Sequence, residues 1–159
     1  MRCSAQTVNL AIKDTVKRLD CEVELKQFRS LVKQSKGIIF RPIFKLNSTP
    51  VPVLDCDMRW GTTARMVESI ICLTELESEL QTVDPSFVVD EKLIDFDKKY
   101  TLAFKPIVIL LKTLQKPQLI IGDMFKHYRI ETRHALKCIT EENRFAAALL
   151  VALEERKTK

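Results

Sequence analysis

The sequence predicts a mainly α fold: a helical bundle with an extended, proline-rich connector and at most one or two short strands. Two observations carry that expectation. Apolar residues recur at helical spacings of three and four through most of the 159 positions. All three glycines (Gly37, Gly61, Gly122) and five of the six prolines fall between those periodic segments, where breaks belong. The chain is 46% hydrophobic and 30% charged, enough of each for a core and a charged surface, which argues against wholesale disorder.

The first segment, to about Ser35, carries Val8, Ala11, Ile12, Val16 and Leu19 on one stripe and then Leu25, Phe28 and Val32 on another. Asp20 marks the break between two helices, and Met1-Arg2-Cys3-Ser4 could be the end of a strand. From Gly37 the pattern changes. Ile38-Ile39-Phe40 reads as a short strand candidate, and Pro42, Pro50 and Pro52, within eleven residues, exclude a long helix. A helix is then expected from Thr62 or Thr63, whose hydroxyl can cap it, with Met66, Ile70, Leu73, Leu76 and Leu80 inward. Asp84-Pro85 reads as the start of the next helical unit, Asp capping and Pro at the first position. A long helix follows from about Glu91 to Leu114, interrupted by Pro106, where a kink is expected. Asp123 can cap another helix carrying Phe125, Tyr128 and Leu136. The last helix runs from about Glu141 to Arg156, with Phe145, Leu149 and Leu153 inward.

The net charge of +5 is scattered and opposed by an acidic stretch (Glu68, Glu75, Glu77, Glu79), so it points only mildly toward an acidic partner such as DNA. The five cysteines are odd in number, widely spaced and without a CxxC pair, which argues against a disulfide framework or a zinc finger and for a reducing, intracellular compartment. No run is apolar enough to span a bilayer, and there is no signal-peptide pattern.

Catalytic patterns are scarce. His127, His134 and Cys138 can share one helix face, but no further ligand pattern accompanies them, so no metal site and no cofactor is expected. No phosphate-cradling glycine motif occurs. The acid pairs Asp55/Asp57 and Asp95/Asp97 read as solvated neighbours rather than converging metal ligands. Arg59-Trp60 stands apart. The only Trp sits at the junction between the proline-rich connector and a helix. There it can anchor the core, as Trp commonly does, or offer a stacking platform beside a cation for unpaired bases.

The run Asp55-Cys56-Asp57-Met58-Arg59-Trp60-Gly61-Thr62-Thr63 resembles the D-x-x-x-R-W-N-S-T motif of hAT-superfamily transposases. Met66 and Glu68 with the leucines after them continue it, like the family's M-x-E-R-L-x-E-L stretch. Cys3-Ser4-Ala5-Gln6-Thr7-Val8-Asn9-Leu10-Ala11-Ile12-Lys13-Asp14 is similar to the family's C-x-x-H-T-L-Q-L-A-V-K-D segment. Phe104-Lys105-Pro106 resembles its L-K-P, and Leu114-Gln115-Lys116 and Asn143-Arg144-Phe145-Ala146 with Leu149-Leu150 also match. Cys3 is kept, Gln6 stands where the family has histidine, and Gly61 stands where it has asparagine. The resemblance implies three parts: 1–36, a remnant of a ribonuclease-H-like core; 37–60, a connector carrying the Arg-Trp motif; and 61–159, a helical insertion-domain-like bundle. It implies that the three metal-binding carboxylates of the family lie outside this chain, which would then be a non-catalytic, transposon-derived nuclear protein. Arg59 and Trp60 would face DNA, with Asp55 organising their loop. The alternatives are a helical module for protein partners or self-association through exposed apolar faces, and a transposon remnant with no selected role.

Overall fold

The structure is a computed structural model that describes residues 4–56, 60–114, 122–123 and 126–156, giving the backbone alone for Ser4, Ala5, Trp60, Tyr128 and Arg129. It is mainly helical, with no sheet among the described residues. The order is α1 (Ser4–Arg18), α2 (Glu22–Ser35), a 3₁₀ turn (Ile38–Phe40), α3 (Arg41–Leu46), α4 (Trp60–Glu68), α5 (Ile70–Glu75), α6 (Glu77–Val83) and α7 (Glu91–Leu114). A π-helical turn (Lys126–Glu131), α8 (Thr132–Lys137) and α9 (Arg144–Glu155) follow. Among the described residues no helix is long and apolar enough to cross a membrane.

The chain forms two compact units, one comprising residues up to Cys21 with those from Lys99 onward, the other Glu22–Lys98. The divisions therefore follow Cys21 and Lys98, whereas the resemblance implies parts at 1–36, 37–60 and 61–159.

In the first unit α1 packs on α9, and α9 on α8. The α1 stripe of Val8, Ala11, Ile12 and Val16 is buried, as are Phe145, Ala146, Leu149 and Leu153 of α9. Each fully buried aliphatic or aromatic side chain contributes about 1.5–3 kcal/mol relative to exposure. Tyr100 and Phe104 stack with centroids 4.2 Å apart, and Phe145 meets Tyr100 edge-on at 5.7 Å. Asn143 begins α9 by accepting from the amides of Phe145 (3.0 Å) and Ala146 (3.3 Å), and its own amide donates to the Lys99 carbonyl at 2.7 Å. The end of α9 is tied to α1 by Arg18–Glu155 and by Arg156–Asp14, the latter through Nε at 2.8 Å.

In the second unit α2 packs on α4. Phe28 meets Phe96 at 5.5 Å, and Phe40 meets Phe87 at 5.7 Å. The Met66, Ile70, Leu73, Leu76 and Leu80 stripe is buried throughout. It is not one helix, however. Turns at Ser69 and Leu76 divide it into α4, α5 and α6, with Leu76 at φ −97°, ψ 2° and the Ser69 hydroxyl bonded back to the Met66 carbonyl at 2.6 Å.

Two local expectations change. Ile38-Ile39-Phe40 is a 3₁₀ turn running into α3, not a strand, because Phe40 and Phe44, four apart, both bury their rings while Pro42 sits in the first turn, where its missing N–H costs nothing. Asp84-Pro85 starts no helix. The Asp84 carboxylate accepts from the Ser86 amide at 3.0 Å and hydroxyl at 2.6 Å, which closes a turn instead. The cap of α7 is Asp90, which accepts from the Lys92 amide at 2.9 Å. Pro106 does lie inside α7, which continues past it to Leu114.

Asp20 is the break expected between α1 and α2. It adopts φ 49°, and the Cys21 amide reaches the Val16 carbonyl while the Asp20 amide reaches Lys17, a Schellman closure. Ser48 repeats the arrangement after α3 at φ 51°, with Thr49 bonded to Phe44 and Ser48 to Lys45. The Met1–Cys3 strand end lies outside the described residues. So do Met124 and Phe125 of the segment that Asp123 was expected to cap.

Candidate nucleic-acid interface

The Asp55–Thr63 segment is held at both ends. Its first anchor is Asp55, whose side chain is only 5% exposed. Arg29, projecting from α2, donates Nε to Asp55 Oδ1 at 2.9 Å and Nη2 to Oδ2 at 2.6 Å. This two-pronged geometry fixes the carboxylate plane as well as its position. From α4, the Thr63 hydroxyl donates to the same Oδ2 at 3.3 Å. One residue inward, the Cys56 amide donates to Thr62 Oγ1 at 2.9 Å. Asp55 with Thr63 and Cys56 with Thr62 thus form two rungs that tie the end of the connector to the first turns of α4.

The α2–α4 packing makes these ties possible. Phe28 and Val32 bury the inner face of α2, which leaves Arg29 at its edge, 31% exposed at the side chain. Met66 and Val67 bury the inner face of α4, and Thr63 lies 3% exposed one turn earlier. Thr62 and Thr63 do not begin the helix, as expected from sequence. α4 opens at Trp60, so both hydroxyls fall inside its first turns and bond to the end of the connector. Gly61 is accordingly helical rather than a cap, and a Cβ built there meets nothing within 4 Å.

Of the residues singled out by sequence, Asp55 is the clamp. Trp60 begins α4, and its side chain, with all of Arg59, lies outside the described residues. Cys3 lies outside them too, and Gln6 is an exposed residue of α1, in the other unit. Sequence reasoning missed Arg29 and gave the Thr63 hydroxyl the role of a cap, where it instead bonds Asp55. Arg29 sits beside an apolar stripe like any polar helix residue, and nothing local pairs it with a carboxylate 26 positions away.

Other clusters have their own geometry. His134 Nδ1 lies 3.8 Å from Cys138 Sγ, but His127 instead bonds Glu131 at 2.5 Å, because the π-helical turn shifts its direction. The His127 hydrogen bond holds the Glu131 carboxyl below the usual carboxylate range; desolvation, the next largest effect, opposes it, and the charges of His127 and Lys126 add to the lowering. Among the described residues no three His, Cys, Asp or Glu side chains converge as a metal site. Asp97, expected to be solvated, is 1% exposed instead, because it faces inward one position from Phe96 on α7. It lines a shallow apolar groove of about 250 Å³ with Ile70, Ile71, Thr74, Ile94 and Lys98. Compared with protein-family models, curated proteins and solved structures, the chain matches none.

Proposed function

We propose that the chain is a hAT-transposase-derived protein that associates with DNA without cutting it, through Arg59 and Trp60. The observation that carries this reading is the clamp. Asp55, pinned by Arg29 and Thr63, and Cys56, tied to Thr62, fasten the described residues that flank the cation and the ring in sequence. A platform held before contact loses less entropy when it engages a base than a free loop does. Arg59 supplies a phosphate or stacking contact, and Trp60 a flat apolar face for an unstacked base. The net charge of +5 assists approach to a polyanion. The resemblance to the transposase motif supports the same assignment, and none of the residues it matches here is one of the family's metal carboxylates, so the role proposed for these residues is binding. On this reading the chain works in the nucleus.

The test is fluorescence anisotropy with a labelled hairpin carrying unpaired bases, titrated across salt concentrations. Trp60→Ala should weaken binding by about 1–3 kcal/mol, the worth of one base–aromatic stack. Arg59→Ala should reduce the slope of log affinity against log salt by about 0.7–0.9, one phosphate contact. Absence of binding by the wild-type chain at low salt overturns the proposal.

A further inference from the structure

Separately from any DNA contact, the second unit carries an outward-facing strip at the 3₁₀ turn and α3. Phe40 and Phe44 bury the inner side of this segment. Its outer side shows Ile38 (75% exposed), Ile39 (55%) and Leu46 (83%), with exposed Arg41, Pro42 and Lys45 among them. No acidic residue occurs between Lys36 and Asp55, so the strip is cationic as well as apolar. Large aliphatics this exposed, next to charge of a single sign, mark a contact surface.

The matching chemistry is in the same unit. Glu68, Ile71 and Glu75 are exposed along the outer side of α4 and α5, and Glu79 follows on α6. The two strips adjoin: the 3₁₀ turn packs against α6, and the Asn47 side-chain amide donates to Glu79 at 2.7 Å. An anionic lipid surface laid on the basic strip meets the Glu79 carboxylate as well, which opposes it.

We propose that this face pairs two copies of the chain, the basic apolar strip of one seating on the acidic strip of the other. Because the strips are neighbours, a two-fold axis makes both contacts at once, so association closes at a dimer instead of growing into a fibre. Charge complementarity sets the register, and Ile38, Ile39 and Leu46 supply the apolar burial.

Sedimentation velocity of the full chain over about 1–100 µM tests this. The expected result is a concentration-dependent dimer that weakens at about 0.5 M salt, where short-range screening is strong. Arg41→Glu with Lys45→Glu makes both strips acidic, and Glu75→Lys with Glu79→Lys leaves Glu68 as the one carboxylate of a strip that is now net basic. Each double variant should be monomeric alone, and an equimolar mixture should recover the dimer. Leu46→Ser changes no charge at a position too exposed to affect folding, and should raise the dimer dissociation constant about tenfold. A wild-type chain that stays monomeric throughout, a dimer indifferent to both charge reversals, or a mixture that fails to recover it overturns the proposal. Equally, capture of the wild type on phosphatidylserine vesicles in place of dimerisation assigns the face to lipid and overturns it.

Discussion

Replacing Asp55 with Ala removes the acceptor of three hydrogen bonds, two from Arg29 and one from Thr63. Breaking a buried charged pair costs about 3–5 kcal/mol, mostly through the partner left buried. Here the carboxylate is buried but the Arg29 side chain is 31% exposed, so water recovers part of its solvation. The expected loss is therefore about 2–3 kcal/mol. For a chain of this size that lowers the melting temperature by roughly 4–12 °C. Urea denaturation followed by circular dichroism measures the global term. Hydrogen exchange measures the local one, because the Cys56 amide, bonded to Thr62 at 2.9 Å beside the clamp, should lose protection more than amides of α9 in the other unit. Asp55→Asn, which keeps the shape but removes the charge, should fall between wild type and Asp55→Ala. A loss below about 0.5 kcal/mol with unchanged Cys56 exchange refutes the reasoning, because it means that the Arg29 and Thr63 contacts hold nothing in place.

Three further outcomes follow from the structure. Ser48→Gly should stabilise the chain by about 0.5–1 kcal/mol in urea titrations, since Ser48 holds φ 51°, a conformation that glycine adopts without strain. Asn143→Ala should cost about 2–3 kcal/mol by the same assay, combining the lost cap of α9 with the lost hydrogen bond to the Lys99 carbonyl, while Asn143→Asp retains the cap and costs less. Asp84 titrates below the usual carboxylate range, chiefly through the Ser86 hydroxyl and then the Gln34 amide. A lowered carboxyl adds stability above its unfolded pKa and loses it as pH falls through the folded value, so this contribution should fade only below about pH 4. Carboxyl NMR titration of Ser86→Ala should show the Asp84 pKa move back up; an unchanged value contradicts the assignment.

Much of the helical layout was legible because amphipathic periodicity is a local signal that burial then amplifies. The stripes of α1, α2 and α9 and the Met66–Leu80 stripe are buried as their spacing predicts, and α7 runs from Glu91 to Leu114 as read. What periodicity missed has specific causes. The helix α3 was hidden because Pro42 suggested a break, whereas proline in a first turn is harmless. Asp84 was read as a cap because Asp-Pro serves both turns and helix starts, and the choice depended on Ser86. Asp90, the actual cap, was passed over beside it. Asp97 is buried because the α7 stripe is wide enough to include it next to Phe96, which alternating acids do not reveal. At the candidate interface, the motif drew attention to Asp55, Arg59 and Trp60. The clamp itself depends on Arg29, which only the packing of α2 on α4 brings to Asp55.

Trp60 is the only tryptophan, so intrinsic fluorescence reports on this residue without a label. Titrating the wild-type chain with hairpin DNA bearing unpaired bases should quench its emission in a saturable manner, and added salt should reverse the quenching as phosphate contacts are lost. Unchanged emission under conditions where anisotropy shows the DNA bound would place Trp60 away from the contact and contradict the account.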